Sequence, residues 1–376
     1  MKAHHTRHPI VTYPAPCLMC LSYICLPHLE PKQKHDNPKP SLPSLFKFIL
    51  VCSETTCILS MKDMKTEIIN TTEQIGDLVD WLIFRYEPPV PLSPTMYIDL
   101  EGVNLCREGS ISILTLLIHT GIPTGRVYLI DMHTLGAQAF NTAGAIQKTL
   151  KDILQDERIP KVFFDVRNDS DALFAHFGVA LQGAEDVQLM ESATRKTTAS
   201  RKFLNGLTKC VEKEWSMSIN SIGLVIWKLD KEKGERLFKP EYGGSYDVFN
   251  QRPIPEDISS YCVGDVQYLP ELRDRFYTQG AGRWQDLVDV ETKKRVAMSQ
   301  RSDYQPHGRD KAMAPWSKEQ NMVLDQWNHV PPRNDFDEFF DESFDQSFDS
   351  DDWYDDGPTS CRDIIDDCDY HFYYSD

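Results

Sequence analysis

The sequence predicts an α/β fold: a mixed sheet in which an antiparallel meander passes into αβα units, with helices on both faces and a disordered extension at each end. Three observations carry this reading. Apolar runs at Met96–Glu101, Ile111–Ile118 and Val127–Asp131 are joined by short turns, which is how antiparallel neighbours connect. Beyond them helix and strand signals alternate, and that alternation puts helices on the faces of a sheet. Finally, with 376 residues, 41% hydrophobic and 26% charged, the protein buries a sizeable core and is neither wholly disordered nor a small disulfide scaffold.

Taken in order, residues 1–60 are rich in Pro and His with no sustained period, and read as a poorly structured leader. Cys17, Cys20, Cys25, His28 and His35 raise a zinc reading, which the lack of a second matching pair opposes. Met61 and Met64 offer alternative starts just before the first periodic helix, Thr72–Phe84. There Ile75, Leu78, Val79, Leu82 and Ile83 share one helical face, and Pro88, Pro89 and Pro91 end the pattern. Turns at Arg107–Gly109 and Gly121–Gly125 separate the meander strands. Expected next are helix Ala143–Leu154, strand Lys161–Phe164, helix Asp169–Phe177, strand Val187–Met190, and helices Phe203–Trp215 and Glu256–Tyr277. A helix over Trp284–Met298 and a loop-like stretch over 299–333 complete the expected order. The domain plan is therefore a leader over 1–60, a globular domain over 70–280, a helical extension and linker over 281–333, and an acidic tail over 334–376.

The net charge of −17 is concentrated at one end. Residues 334–376 hold 16 Asp and Glu against one Arg, which leaves the other 333 residues at −2. A nearly neutral folded part does not exclude a nucleic-acid partner. Within the tail Phe336, Phe340, Phe344 and Phe348 recur at every fourth position among acids. Self-repulsion favours disorder there, with docking on a protein partner or mimicry of a phosphate backbone as the two functional readings. The ten cysteines follow no disulfide pattern, which fits a reducing compartment, and no apolar run reaches the ~18–20 residues that a bilayer span needs. An intracellular location, nucleus or cytoplasm, is expected.

Three acidic constellations carry the chemistry. In Tyr97-Ile98-Asp99-Leu100-Glu101-Gly102, strand periodicity puts Asp99 and Glu101 on one face while Ile98 and Leu100 turn into the core. Two such carboxylates repel each other and are costly to desolvate, and a divalent cation removes both costs. Gly102 permits close approach of a backbone or a ligand. The second lies where an apolar strand leads into a polar helix start, Asp165-Val-Arg167-Asn168-Asp169-Ser-Asp171. Functional groups collect at such junctions, although N-capping by Asn168 or Asp169 is the plainer reading. The third is Tyr261 and Asp265, four apart and so adjacent on one helix face; alone, such a pair is usually a surface hydrogen bond.

Strand acids, a helix-start acid and a Tyr-xxx-Asp helix in this order resemble the DEDD superfamily of 3′–5′ exonucleases, in the Tyr subgroup with ribonuclease D. Arg252-Pro253 ahead of the third motif and Leu269 after it add to the likeness, which covers about residues 70–280. The resemblance implies a ribonuclease H-like fold. It implies two divalent cations, Mg2+ or Mn2+, held by Asp99, Glu101, Asp169 and Asp265, with Tyr261 orienting the attacking water. Asp171 is the rival to Asp169. The family often carries His or Asn five or four residues before this acid, whereas Phe164 and Asp165 stand here, which puts a substrate contact from those positions in doubt. The implied substrate is the 3′ end of a single strand, RNA slightly favoured over DNA, degraded to nucleoside 5′-monophosphates.

Arg195, Lys196, Arg201 and Lys202 form a basic cluster that is expected to guide the strand, against the plainer reading of a solvated face. Lys293, Lys294 and Arg295 form another. The alternative from a different class is a non-catalytic nucleic-acid-binding or scaffold protein on the same fold. The sequence holds neither a Gly-rich Lys phosphate loop nor a Gly-x-Ser-x-Gly elbow, so other enzyme classes find little support.

Overall fold

A computed structural model describes residues 64–86, 95–119, 125–215, 221–278 and 283–329. The cysteines and histidines of the leader and the whole acidic tail lie outside these residues. The elements are β1 (Lys65–Ile69), α1 (Thr72–Tyr86), β2 (Thr95–Glu101), β3 (Ile113–His119), β4 (Arg126–Asp131), α2 (Met132–Leu135), α3 (Gln138–Asn141) and α4 (Leu150–Leu154). They continue with β5 (Lys161–Phe163), α5 (Val166–Phe177), β6 (Ala184–Asp186), α6 (Val187–Thr194), α7 (Leu207–Trp215) and α8 (Ser221–Phe238). Last among the described residues come α9 (Glu256–Gln267), α10 (Leu269–Thr278), α11 (Gln285–Ser299) and α12 (Lys318–Asn328).

The strands form one mixed sheet in the order β1-β4-β3-β2-β5-β6. The meander is antiparallel, with Asp99 opposite Thr115 and Glu101 opposite Ile113. On its outer side β1 runs parallel to β4, and on the other side β5 and β6 continue parallel to β2. Strand β2 is therefore internal, and its alternation sorts the core. Ile98 and Leu100 pack with Ile75, Leu78, Val79 and Leu82 of α1 and Leu173 of α5. Tyr97 faces the other layer, with Trp227 of α8 and Ile258, Cys262 and Val266 of α9. Asp99 and Glu101 point the same way as Tyr97 because side chains two apart share a face. Gly102 is required by a close approach of backbone, since a Cβ there would stand 1.9 Å from the Ser110 carbonyl oxygen.

Several expected elements differ, each for a local reason. Within Ala143–Leu154 only Leu150–Leu154 is helical, because Thr149 and Asp152 form a reciprocal capping box that starts the helix there. Helix α5 begins at Val166, not near Asp169, and neither Asn168 nor Asp169 caps it. Asp165 takes the left-handed conformation at the cap, φ 63°, and the Asp186 carboxylate accepts from Asp165 N and Val166 N, both at 3.2 Å. Residues Val187–Met190 are helical, since Asp186 ends β6 and accepts from Gln188 N at 3.0 Å. The expected start at Phe203 moves to Leu207, because Leu204 N donates to Ala312 O (2.9 Å) and Ala314 N to Lys202 O (3.1 Å). The helix expected over Glu256–Tyr277 breaks at Tyr268, two residues before Pro270, whose ring nitrogen has no proton to donate. The stretch 299–333 contains α12, opened by the Ser317–Gln320 capping box.

Candidate active site and metal centre

The three acidic segments converge on one cleft of about 260 Å³, lined by Asp99, Glu101, Asp169, Tyr261 and Asp265 among others. Strand β2 brings the first two acids, α5 the third, and α9 the Tyr–Asp pair one turn apart. One oxygen from each of Asp99, Glu101 and Asp265 lies within 4.8 Å of the others. Asp99 Oδ2 and Asp265 Oδ2 are buried with no hydrogen-bond partner. Such oxygens are costly to leave unpaired, and three convergent hard donors are what Mg2+ or Mn2+ takes. The residues present therefore fit a divalent cation.

Electrostatics points the same way. Burial first, then the charge of Asp265, pushes the Asp99 carboxyl well above the usual range. Glu101 is raised by burial and by Asp99, and Asp169 by burial and then by Asp99, Asp165 and Asp186. Burial and the surrounding carboxylates also raise the Tyr261 hydroxyl, so it remains a proton donor at neutral pH. The rivals in the second motif are separated by their partners. Asp169 lines the cleft, whereas Asp171 is fully buried and accepts from Arg107 Nε at 2.7 Å and Arg107 N at 2.8 Å.

The sequence profile described as 3′-5′ exonuclease matches residues 92–280, half of the chain. The protein belongs to this family. Its relatives include the piRNA biogenesis protein EXD1 of Mus musculus, 27% identical over 173 residues, which are 46% of this chain and 27% of that protein. The EXD1 of Xenopus laevis is 26% identical over 172 residues, 46% of this chain and 35% of that protein. The match thus spans about a third or less of these relatives' length. Among solved structures, Trypanosoma brucei RNase D with GMP superposes with a TM-score of 0.54 at 19% identity, covering 72% of this chain and 73% of that one. The same enzyme with RNA U12 gives 0.54 at 18%, covering 73% and 82%. The exonuclease fold is shared with these neighbours, and the mixed sheet is the ribonuclease H-like one that the resemblance implied.

Within this exonuclease domain the expected basic cluster divides. Arg195 donates from Nε to Glu191 at 3.0 and 3.1 Å and from Nη1 to the Ser200 and Phe203 carbonyls at 2.6 Å. Arg201 is 1% exposed, pairs with Asp325, and donates to Asn321 Oδ1 at 3.0 Å. Their guanidinium groups are used up inside the fold, so the expected strand contact is corrected for these two. Lys196 and Lys202 remain exposed. From the second cluster Arg295 is also internal, donating to Asp186 Oδ2 at 2.7 Å and Gln188 Oε1 at 3.0 Å.

The sequence reading missed α8, and with it Lys231. This side chain is buried, pairs with Asp265 Oδ1, and lies 4.5 Å from the Tyr261 ring centroid. Burial pushes its ammonium down, and Asp265, with Glu235 and Asp99 behind it, pushes it up by more. The inward stripe of α8 reads Trp227, Lys231, Gly234 and Phe238, which is no apolar pattern. Gly234 is needed because a Cβ there would meet Tyr261 Cβ at 2.5 Å. Conversely Ile222, Val225, Ile226 and Leu229 are 50–60% exposed, so these four apolar residues of α8 face away from the core. Its i,i+4 pairs, Glu232–Arg236 and Glu235–Lys239, were the helix signal present in the sequence.

Among the described residues no helix is long and apolar enough to cross a membrane.

Proposed function

We propose that this protein is a divalent-metal-dependent exonuclease that removes nucleoside 5′-monophosphates from the 3′ end of a single strand, RNA in preference to DNA. The observation that carries the proposal is the convergence of Asp99, Glu101 and Asp265 within 4.8 Å, with two of their oxygens unpaired. Asp99, Glu101 and Asp265, with Asp169 beside them, would hold two cations. Such cations supply Lewis acidity for the phosphoryl group and acidify water. Tyr261, kept protonated by its surroundings, donates its hydroxyl proton as a hydrogen bond and so orients the water for in-line attack. The clustered carboxylates repel phosphate until they are neutralised, which makes strand entry depend on metal. The RNA preference draws on the RNase D structure with RNA U12, which shares the fold, and on relatives named for piRNA biogenesis.

A second reading, a nucleic-acid-binding module without turnover, draws on Lys231, whose ammonium already takes Asp265 Oδ1 and serves as a resident cation. One experiment separates the two. Purified protein is incubated with 3′- and 5′-labelled single- and double-stranded RNA and DNA oligomers, with Mg2+, Mn2+ or chelator. The exonuclease reading expects a metal-dependent ladder from the 3′ end and monophosphate products. Binding without any ladder leaves the module. Asp169→Ala is expected to be inactive and Asp171→Ala active, and the reverse result moves the site by two residues.

A further inference from the structure

Four cationic side chains line the cleft: Arg167, Lys231, Lys239 and Lys311. Three have carboxylate partners at hydrogen-bonding distance. Arg167 grips Asp165 with two nitrogens, one of them Nε at 2.6 Å. Lys231 is on Asp265, and Lys239 Nζ lies 2.9 Å from Glu235. Lys311 differs. Its ion pair is with Asp310 at 3.8 Å, too long for a hydrogen bond, and the Asp310 side chain is 76% exposed. Among the described residues its Nζ donates no hydrogen bond. The ammonium lies 4.4 Å from the Tyr304 ring centroid, and its side chain is 18% exposed.

An ammonium taken partly out of water without an acceptor costs free energy, and an aromatic face offsets only part of that cost. The position is nevertheless built. Arg167 Nη1 donates to the Lys311 carbonyl at 3.0 Å, and the flanking backbone pairs with residues 202–204 through the Leu204–Ala312 bond and the Phe203–Met313 bridge. Lys311 also lies outside the family-matched residues 92–280, in the segment between α11 and α12. Its charged neighbours include Asp310, Arg167, Asp165 and Arg295, with His307 also within electrostatic reach.

We propose that Lys311 is a substrate-binding residue that takes a backbone phosphodiester of the nucleic-acid strand while the terminal phosphate lies at the carboxylates. The proposal rests on the exonuclease reading above and deepens it, because it gives the segment that follows the family domain a share in the cleft. A nucleoside monophosphate has a single phosphate and does not need Lys311; a strand does.

The test measures binding, so it holds whether or not turnover occurs. Fluorescence anisotropy of a labelled single-stranded RNA 12-mer is followed with full-length wild type, Lys311→Ala and Lys311→Arg, with Ca2+ neutralising the carboxylates and cleavage monitored in parallel. Calorimetry with a nucleoside 5′-monophosphate is the second arm. Lys311→Ala is expected to weaken the 12-mer by about three- to tenfold at low salt and to flatten the log–log salt slope by about 0.7. Lys311→Arg retains the wild-type slope, and monophosphate affinity is the same in all three. Unchanged 12-mer affinity in Lys311→Ala overturns the assignment, as does an equal loss for the monophosphate. Wild type that binds no strand of any kind overturns the nuclease reading itself, an outcome separate from either of these.

Discussion

Two acidic groups lie side by side in the cleft region and are treated in opposite ways. Asp165 and Asp186 are matched by arginines: Arg167 and Arg295 neutralise Asp165, and Arg295 and four backbone amides at two helix starts satisfy Asp186. Burial opposes ionisation of Asp165, but the two arginines outweigh it and hold the carboxyl far below the usual range. Asp99, Glu101 and Asp169 are raised instead, and Asp99 Oδ2 and Asp265 Oδ2 have no partner. A buried carboxylate with an internal cation belongs to the architecture. In the cleft Asp99 and Asp265 each keep one oxygen without a partner, although Lys231 takes the other oxygen of Asp265.

The largest effects fall where each group loses what it depends on. Asp99→Ala, Glu101→Ala or Asp265→Ala is expected to reduce metal-dependent degradation by more than about a hundredfold, with chelator-state stability unchanged or higher because mutual repulsion is relieved. Parallel turnover and urea-denaturation measurements check both halves, and undiminished turnover would sink the assignment. Arg295→Ala is expected to do the converse and cost about 3–5 kcal/mol of stability, because it strands buried Asp186. A denaturation midpoint equal to that of wild type would show that Asp186 is satisfied by backbone amides alone.

A smaller loss is expected from Tyr261→Phe, about 10–100-fold in rate with metal affinity intact in a Mn2+ titration. Mg2+ or Mn2+ at a hundredfold over its Kd is expected to stabilise wild type by about 2.7 kcal/mol and Asp265→Ala by much less, read as a shift in thermal midpoint. The smallest effect is in pH dependence without metal. Carboxyls raised in the folded state contribute stability that is complete below their unfolded pKa near 4 and is lost as pH rises through the folded values. Asp165, lowered in the folded state, contributes stability that is present above pH ~4 and is lost as pH falls through its folded value. Asp99→Asn should therefore flatten the decline on the rising side only, and an unchanged profile would remove Asp99 from the strained group.

How far the sequence reached follows from the range of each interaction. The strand order of the meander, the shared face of Asp99 and Glu101, the Tyr261–Asp265 pair and helix α1 are settled by periods of two and of about 3.6 residues, which a sequence displays directly. The start of α5 was not legible, because its first amides are satisfied by Asp186, twenty residues further on. The fate of Arg201 depends on Asp325, 124 residues on, and the burial partner of Asp171 is Arg107, 64 residues before it. Arg195 instead pairs with Glu191 one turn away, a contact legible only once Val187–Thr194 is known to be helical. Helix α8 was hidden because the stripe that it buries reads Trp-Lys-Gly-Phe, shaped by Asp265 and Tyr261 rather than by an apolar core. Local patterning determined which carboxylates were candidates. The tertiary structure alone decided which were left unpaired, because a buried charge is set by its partners, and those partners come from distant parts of the sequence.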